Sequence, residues 1–158
     1  MPENAFVSRS VTIGDLLISN QTARIVVPTF QRGYSWEKKH VDAFWKDLSD
    51  PGRPKTFFLG PIVIMHKGDD VIELLDGQQR LATATILFSV LRDVARSLNN
   101  QEASDFAAYM QRDFIIGEDG VRRLQMGETD DSFFMEVIQT GKPTMRKATI
   151  KSQRHIQE

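Results

Sequence analysis

Two spacings of apolar residues alternate along the chain and divide it into short strands and helices. A repeat of two, or a short continuous apolar run, indicates a strand, whereas spacings of three and four residues indicate a helix. Residues 12–19 predict one or two helical turns. Residues 23–28 predict a short strand that ends at Pro28, because proline has no N–H to donate to a sheet. The chain therefore begins with a helix and a strand that leads into a polar loop.

The next segment has the pattern of an amphipathic helix followed by a β-hairpin. The helical spacing is carried by Val41, Phe44, Trp45 and Leu48, which predicts a helix that packs through one apolar face. Two apolar runs then flank the sequence HKGDD, in which Gly68 suits the positive φ of a tight turn. We expect these two runs to pair as an antiparallel hairpin.

A long apolar-periodic segment that begins near residue 80 predicts the central helix of the domain. Its stripe consists of Leu81, Thr85, Phe88, Leu91, Ala95 and Leu98, and is widened by Leu87, Val90 and Val94. A stripe of this breadth predicts a helix that is largely buried.

The remaining third of the chain predicts three more helices and a second hairpin. A helix is expected over residues 99–114, a hairpin over 114–126, and a helix from Thr129, as its N-cap, to the stop at 141–144. Residues 150–158 look like the start of a helix that has no C-cap. We therefore expect one mixed α/β (α+β) domain over residues 1–158, as the N-terminal part of a longer protein.

Composition and charge narrow the class of protein. The chain has 158 residues, 41% hydrophobic and 26% charged, which fits one globular domain with a real core and excludes overall disorder. Its net charge of -1 provides no global attraction for nucleic acid, although it does not exclude a local basic groove. The absence of cysteine excludes disulfides and thiolate metal sites. Without a membrane-length apolar run or a signal sequence, we expect a soluble cytoplasmic protein.

The sequence DGQQR at residues 76–80 lies where the second strand of the first hairpin gives way to the central helix. With Asp76 as the N-cap, residues 77–80 form a first turn whose N–H groups have no partner within the helix. The helix dipole favours an anion there, and Gly77 leaves the backbone open to a phosphate oxygen. The motif therefore predicts a phosphate site.

The polar side chains of this motif fit both a functional and a structural interpretation. Gln78, Gln79 and Arg80 offer amide groups and a guanidinium that suit phosphate, and Asp76 suits Mg²⁺ or an attacking water. Alternatively, Asp76 and Gln79 form a capping box that only stabilises the helix, by about 1 kcal/mol. The capping box does not explain Arg80, which stands where an apolar staple residue is expected.

A second polar cluster lies in the loop after the first strand. Gln31 and Arg32 are flanked there by Phe30, Tyr34 and Trp36. Arg32 suits a phosphate while an aromatic ring covers a base, but aromatic residues just before a helix more often belong to the core. We expect Phe30 and Trp36 to be mainly structural. The two arginine-bearing loops face one cleft only if their strands are neighbours.

Four segments together resemble the N-terminal domain of GmrSD-type restriction proteins. They are residues 25–36 (IVVPTFQRGYSW), 57–64 (FFLGPIVI), 74–84 (LLDGQQRLATA) and 122–134 (RRLQMGETDDSFF), in this order. The resemblance runs from about residue 12 to beyond 134, and four ordered motifs are far more specific than the pentapeptide alone.

The resemblance implies a ParB/sulfiredoxin-like fold that binds a nucleoside triphosphate with a polar motif at a helix start. It maps the family's DGQQR onto Asp76, Gly77, Gln78, Gln79 and Arg80, and its Q-R-x-x-x-W onto Gln31, Arg32 and Trp36. It implies nucleotide binding and hydrolysis within bacterial or archaeal defence proteins that act on modified foreign DNA. Family proteins commonly add an HNH-type nuclease half, as a C-terminal domain or a partner subunit. This sequence shows none, which argues against DNA cleavage by the chain itself.

These observations lead to a hypothesis for each site residue. The nucleotide ligands are expected to be Gln31, Arg32, Asp76, Gly77, Gln78 and Arg80, with Tyr34 and Trp36 as aromatic support and Asp76 as the Mg²⁺ ligand. In catalysis, Asp76 organises phosphates or water, Arg80 and Arg32 neutralise charge, and Gln78 or Gln79 positions the nucleophile.

Two alternatives to an enzyme remain open from the sequence. The first is a module that reads DNA through the same basic loops and hydrolyses nothing. The second is a fold fragment in which DGQQR merely caps a helix. The sequence also leaves open whether the domain forms a homodimer.

Overall fold

The computed structural model describes residues 7–18, 24–52, 54 and 57–158. Ser19 and Ala23, at the ends of two predicted elements, lie outside the described residues. The elements are α1 (Ile13–Ile18), β1 (Arg24–Val26), α2 (Lys38–Ser49), β2 (Val63–His66), β3 (Val71–Asp76), α3 (Gln78–Arg96), α4 (Gln101–Tyr109), β4 (Leu124–Gln125), α5 (Glu128–Phe134) and α6 (Lys151–Gln157). The π-helical segments Met110–Ile115 and Met135–Gln139 continue α4 and α5 directly. The mixed α/β class predicted from the sequence is confirmed.

The four strands form one mixed sheet in the order β2-β3-β1-β4. β1 is parallel to both β3 and β4, whereas β2 is antiparallel to β3. The three parallel strands therefore end at the same edge of the sheet, which we call the carboxyl edge, and β2 begins there. This topology brings together the loops that follow β1, β3 and β4.

The two predicted hairpins have different outcomes. The first is confirmed, since β2 pairs with β3 and the turn contains Gly68 at φ +78°. The second is wrong as a pair of sheet strands. Residues 110–115 stay helical. The antiparallel part is confined to the bridge between Ile116 and Arg122 and the backbone hydrogen bonds beside it. β4 pairs in parallel with β1 instead. This distant pairing buries Leu124 completely in the core.

The central helix α3 is buried as predicted only in its first half. Leu81 and Thr85 are fully buried, but the predicted stripe emerges into solvent at Val90 and Val94, which are 51% and 55% exposed. The further stripe members Leu91 and Leu98 are exposed as well. The second half of α3 instead buries the face that carries Arg92, whose guanidinium donates to the carbonyls of Ile138 and Gln139. Of the predicted stripe in this half of the helix, Ala95 remains buried.

Helix α2 forms as predicted, but most of its apolar face is not packed. Phe44 is buried and meets the Trp36 ring edge-on, with 5.7 Å between ring centroids. Val41, Trp45 and Leu48 are exposed. The helical spacing predicted the element correctly and its packing wrongly, because spacing does not specify a partner for the face.

Helix α5 begins earlier than the predicted Thr129 cap. Gly127 is the N-cap residue, and its carbonyl accepts hydrogen bonds from the N–H groups of Asp130 and Asp131. The Asp131 carboxylate also accepts from Met126 N at 2.9 Å, which fixes the chain just before the helix. Thr129 therefore lies inside the first turn.

Candidate functional site

The loops after β1 and β3 are joined by hydrogen bonds at the carboxyl edge. Gln31 Nε2 donates to the carbonyl oxygen of Leu75 at 3.0 Å, and Gln78 Nε2 donates to Gln31 Oε1 at 3.1 Å. The two arginine-bearing loops were expected to face one cleft only if their strands are neighbours, and β1 and β3 are neighbours in the sheet. Gln31, Gln78 and their two loops therefore belong to one site.

Gln79 fastens the same loop with both ends of its amide. Its Oε1 accepts from the Ser35 N–H at 2.8 Å, and its Nε2 donates to the Gly33 carbonyl at 3.2 Å. Gln78 and Gln79 are 8% and 7% exposed. Both glutamine side chains are thus engaged in holding the 31–35 loop against α3.

Tyr34 anchors the loop to α3 through its buried side chain. Its side chain is 2% exposed, and its hydroxyl lies 2.8 Å from Thr83 Oγ1. Since the Thr83 hydroxyl donates to the Gln79 carbonyl, the tyrosine is the donor of the pair. Burial raises the pKa of Tyr34 above its ordinary value, although the hydrogen bond to Thr83 acts in the opposite direction. A buried, neutral phenol supports the loop and does not cover a ligand with its ring.

A third element, α5, holds the loop through Asp130. Asp130 is 1% exposed, and its Oδ2 accepts from the Tyr34 N–H at 2.8 Å while its Oδ1 accepts from Ser152 Oγ at 2.5 Å. This role was missed in the sequence, since an acid in a first helical turn is usually solvated. The close approach requires a glycine in the loop, because a Cβ at Gly33 would lie 2.7 Å from Asp130 Oδ2.

The start of α3 differs from the predicted capping box. Asp76 is the last residue of β3 and pairs with Val63, so Gly77 is the N-cap residue, at φ +95°. Gln79 cannot complete a capping box because its amide is bound to the loop. A Cβ at Gly77 would lie 2.9 Å from Ile62 Cγ1, so the side-chain direction faces Ile62 and is not the open approach predicted. The glycine is needed for the positive φ and for this contact.

Arg80 fixes a further segment at the site. Its Nη1 donates to the carbonyl of Pro61, and its guanidinium lies against Gly60, where a Cβ would be 3.0 Å from Arg80 Cζ. Gly60 has φ +109°. Arg80 is half-buried and thereby ties the 60–61 segment, which precedes β2, to the first turn of α3.

Several polar groups at this edge are left without a hydrogen-bond partner among the described residues. In the part of the chain that the structure describes, the N–H groups of Gln78, Gln79 and Arg80 have no acceptor. Within the same residues, the side chains of Arg32 and Asp76 are exposed and have neither a hydrogen bond nor an ion pair. The site therefore combines backbone donors, one cation and one carboxylate beside a helix N-terminus.

We expected Phe30 to be mainly structural, and this expectation is wrong. Its side chain is 76% exposed. The Gln31 N–H donates to the Pro28 carbonyl at 3.0 Å and closes a turn with Thr29 and Phe30 at its corners. Side chains at such corners point outward. Trp36, by contrast, is half-buried between Phe44 and His40, as a structural role requires.

The site offers one exposed carboxylate, that of Asp76, as a possible metal ligand. Among the residues that the structure describes, three or more potential ligands of the His, Cys, Asp and Glu types nowhere converge. Mg²⁺ needs no such cluster, because it retains waters and binds one or two carboxylates together with substrate phosphates. The single exposed carboxylate of Asp76 fits an ion that arrives with phosphates.

The fold and this edge define a mixed α/β domain with an anion-compatible site where parallel strands end. The family described as GmrSD restriction endonuclease, N-terminal domain, matches residues 13–157, and the chain belongs to this family. The predicted resemblance is confirmed, and the family places the chain with restriction proteins. A comparison with curated proteins finds no match. Over the described residues, the helices are too short or too polar to cross a membrane.

Proposed function

We propose that this domain binds a nucleoside triphosphate with Mg²⁺ at the carboxyl edge and hydrolyses it, within a protein that restricts modified foreign DNA. One observation carries the proposal. The hydrogen bonds of Gln31 to Leu75 and Gln78 join two loops and leave Arg32 and Asp76 exposed beside the first turn of α3. The family supports the link to restriction.

Binding of the phosphates follows from the groups that have no acceptor. The N–H groups of Gln78, Gln79 and Arg80 point away from the helix, and the helix dipole of α3 adds partial positive charge. Arg32 supplies a full positive charge from the neighbouring loop. Together they favour a polyanion over a monovalent anion.

Asp76 is the residue we assign to Mg²⁺. When bound with the triphosphate, the ion would neutralise negative charge on the phosphate oxygens and so favour attack by water on the γ-phosphorus. A lone carboxylate at the edge would otherwise repel the phosphates. Asp76 therefore makes nucleotide binding dependent on the cation.

Hydrolysis requires a water whose oxygen bonds to the γ-phosphorus as the bond to the β–γ bridging oxygen breaks. The products are a nucleoside diphosphate and inorganic phosphate; one proton of the attacking water stays on the inorganic phosphate and the other is released to solvent. Arg32 neutralises the charge that spreads over the γ-phosphoryl oxygens. Because the Gln78 and Gln79 amides are bound to the loop, we assign them to positioning Arg32, and Arg80 to holding residues 60–61.

We further propose that the nucleotide state of this site controls DNA restriction by a nuclease domain or a partner subunit. Hydrolysis would change the charge and the contacts between the two joined loops. Such loops, ordered by a γ-phosphate and Mg²⁺ and released on hydrolysis, are a common form of switch.

The test is phosphate release from a panel of nucleoside triphosphates with Mg²⁺. Asp76→Asn removes the proposed metal ligand, and Asp69→Asn removes the same charge from the β2–β3 turn at the opposite end of the sheet. We expect release from the wild-type chain and Asp69→Asn, and loss of at least tenfold in a folded Asp76→Asn. Equal release from all three would exclude the assignment of Asp76, and no release from any would exclude hydrolysis by this chain.

The second candidate is a DNA-binding module without hydrolysis. It is favoured by the exposure of both Phe30 and Arg32 on one loop, since an aromatic ring beside a cation also suits nucleic acid. Binding to duplex DNA that falls steeply with salt and does not respond to nucleotide would support this candidate.

A further inference from the structure

Two exposed phenylalanines lie in the two segments that border the candidate phosphate site. Phe30 is 76% exposed and Phe58 is 75% exposed, although large aromatic side chains are usually at least half-buried. Phe30 follows β1 and Phe58 precedes β2, which are the two neighbours of β3 in the sheet. Both segments therefore reach the carboxyl edge on either side of the DGQQR motif.

Each phenylalanine is tied to the site through its own backbone neighbour. Phe30 immediately precedes Gln31, which bonds to Leu75 and Gln78. Phe58 lies two residues before Gly60, so their Cα atoms are at most about 7 Å apart. Gly60 packs against Arg80, and Arg80 donates to the next carbonyl, that of Pro61. The two exposed rings are thus carried by the two segments that the DGQQR residues hold in place.

The other aromatic residues of the loop have contacts within the protein. Tyr34 is buried and hydrogen-bonded to Thr83, and Trp36 is packed between Phe44 and His40. A nucleotide whose phosphates lie at the start of α3 still has a flat, apolar base to place. The two exposed rings offer it a surface that gains from desolvation.

We propose that Phe30 and Phe58 contact the nucleobase of the bound triphosphate by stacking. This inference rests on the proposed function and adds the part of the site that recognises the base. Stacking on a phenylalanine tolerates any base because every base has a π-face. The site therefore distinguishes nucleotides from bare polyphosphate and discriminates weakly between purines.

The experiment compares ATP, GTP and inorganic tripolyphosphate, each with Mg²⁺, by titration calorimetry. Tripolyphosphate carries the phosphates without the base. Phe30→Ala and Phe58→Ala are compared with the wild-type chain and with Phe106→Ala, which removes a partly exposed phenylalanine of α4. Circular dichroism checks that each variant is folded.

The wild-type chain is expected to bind ATP and GTP at least tenfold more tightly than tripolyphosphate. Each of the two alanine variants should lower nucleotide affinity about tenfold and leave tripolyphosphate affinity unchanged, because one stacking contact is lost. Phe30→Tyr and Phe58→Tyr should retain the preference for nucleotides, and Phe106→Ala should change nothing.

The contrary outcomes separate this inference from the proposed function. Equal wild-type affinity for tripolyphosphate and nucleotides would overturn base stacking and leave the phosphate site intact. Alanine variants that weaken tripolyphosphate binding as much as nucleotide binding would also overturn it. Failure of the wild-type chain to bind any of the three would overturn both proposals.

Discussion

The Asp130 carboxylate accepts a hydrogen bond from the backbone N–H of Tyr34 at 2.8 Å, across 96 residues of sequence. Its other oxygen accepts from Ser152 Oγ of α6 at 2.5 Å. The loop after β1 is thereby fixed to α5 and α6 as well as to α3. Arg32 lies two residues before Tyr34, so the contact sets the position of the one exposed cation that we assign to the site.

Replacing Asp130 tests whether this contact positions Arg32. Asp130→Ala leaves the Tyr34 N–H without its acceptor, which should lower the free energy of unfolding by about 1–3 kcal/mol in urea. It should also weaken Mg²⁺–tripolyphosphate binding, measured by titration calorimetry. Asp130→Asn keeps an acceptor oxygen and should recover most of both losses. A destabilised alanine variant with unchanged binding would limit Asp130 to stability.

Gly77 and Gly68 provide a matched pair at the two ends of β3. Both have positive φ, at +95° and +78°, but a Cβ at Gly77 would lie 2.9 Å from Ile62 Cγ1, and one at Gly68 would have no neighbour within 4 Å. Alanine at either position should lower stability by about 1–2 kcal/mol through backbone strain. Urea unfolding should show a further loss for Gly77→Ala alone. Equal effects would mean that Ile62 moves aside without cost.

The apolar spacing predicted most of the elements because their local patterns are strong. The α3 helix, the first hairpin and α6 all follow from such patterns. The second hairpin is reduced to a short bridge, and β4 pairs with β1 about 100 residues away, a pairing on which local spacing carries no information. The prediction that the apolar face of α2 is packed was wrong for a related reason. Trp45 has the spacing of a core residue, but no element among the described residues covers it.

The sequence indicated where the candidate site lies but not the contacts that build it. Residue types alone indicated an anion site at 76–80, and the parallel pairing of β1 with β3 brought Gln31 to it. The buried groups Asp130 and Arg92 were missed, since each finds its partners on distant elements. Phe30 was expected in the core because aromatic residues just before a helix more often belong to it. The turn closed by Gln31 and Pro28 places it outside.

Glu136 should contribute a pH-dependent part of the stability. Its carboxylate accepts from Thr144 Oγ1 at 2.7 Å and from Arg146 Nη1 at 2.9 Å, and these hydrogen bonds lower the pKa of Glu136 below its ordinary value of 4.5. A lowered folded-state pKa means that the contribution is complete above pH 4.5 and is lost as the pH falls through the folded-state value.

The matching experiment follows thermal unfolding of Glu136→Gln and of the wild-type chain from pH 7 down to about pH 3. The difference between their midpoints should be constant above the ordinary pKa and shrink below it. Glu118→Gln, at an exposed position in the 117–120 turn, is the control and should show no such trend. A difference that persists undiminished at the lowest pH would assign the effect to packing instead of charge.

Arg24 is the first residue of β1 and Arg32 lies in the loop that follows the strand, so the charge of the site can be tested against an equivalent charge elsewhere. Both are exposed arginines, but only Arg32 lies at the carboxyl edge. Arg32→Ala should lower tripolyphosphate affinity about tenfold or more, since a charged hydrogen bond contributes about 1.5–3 kcal/mol. Stability should change by less than about 0.5 kcal/mol. Arg24→Ala should leave binding unchanged. Calorimetry at two salt concentrations should show a smaller Arg32 effect at the higher one, and equal losses in both variants would exclude a localised site.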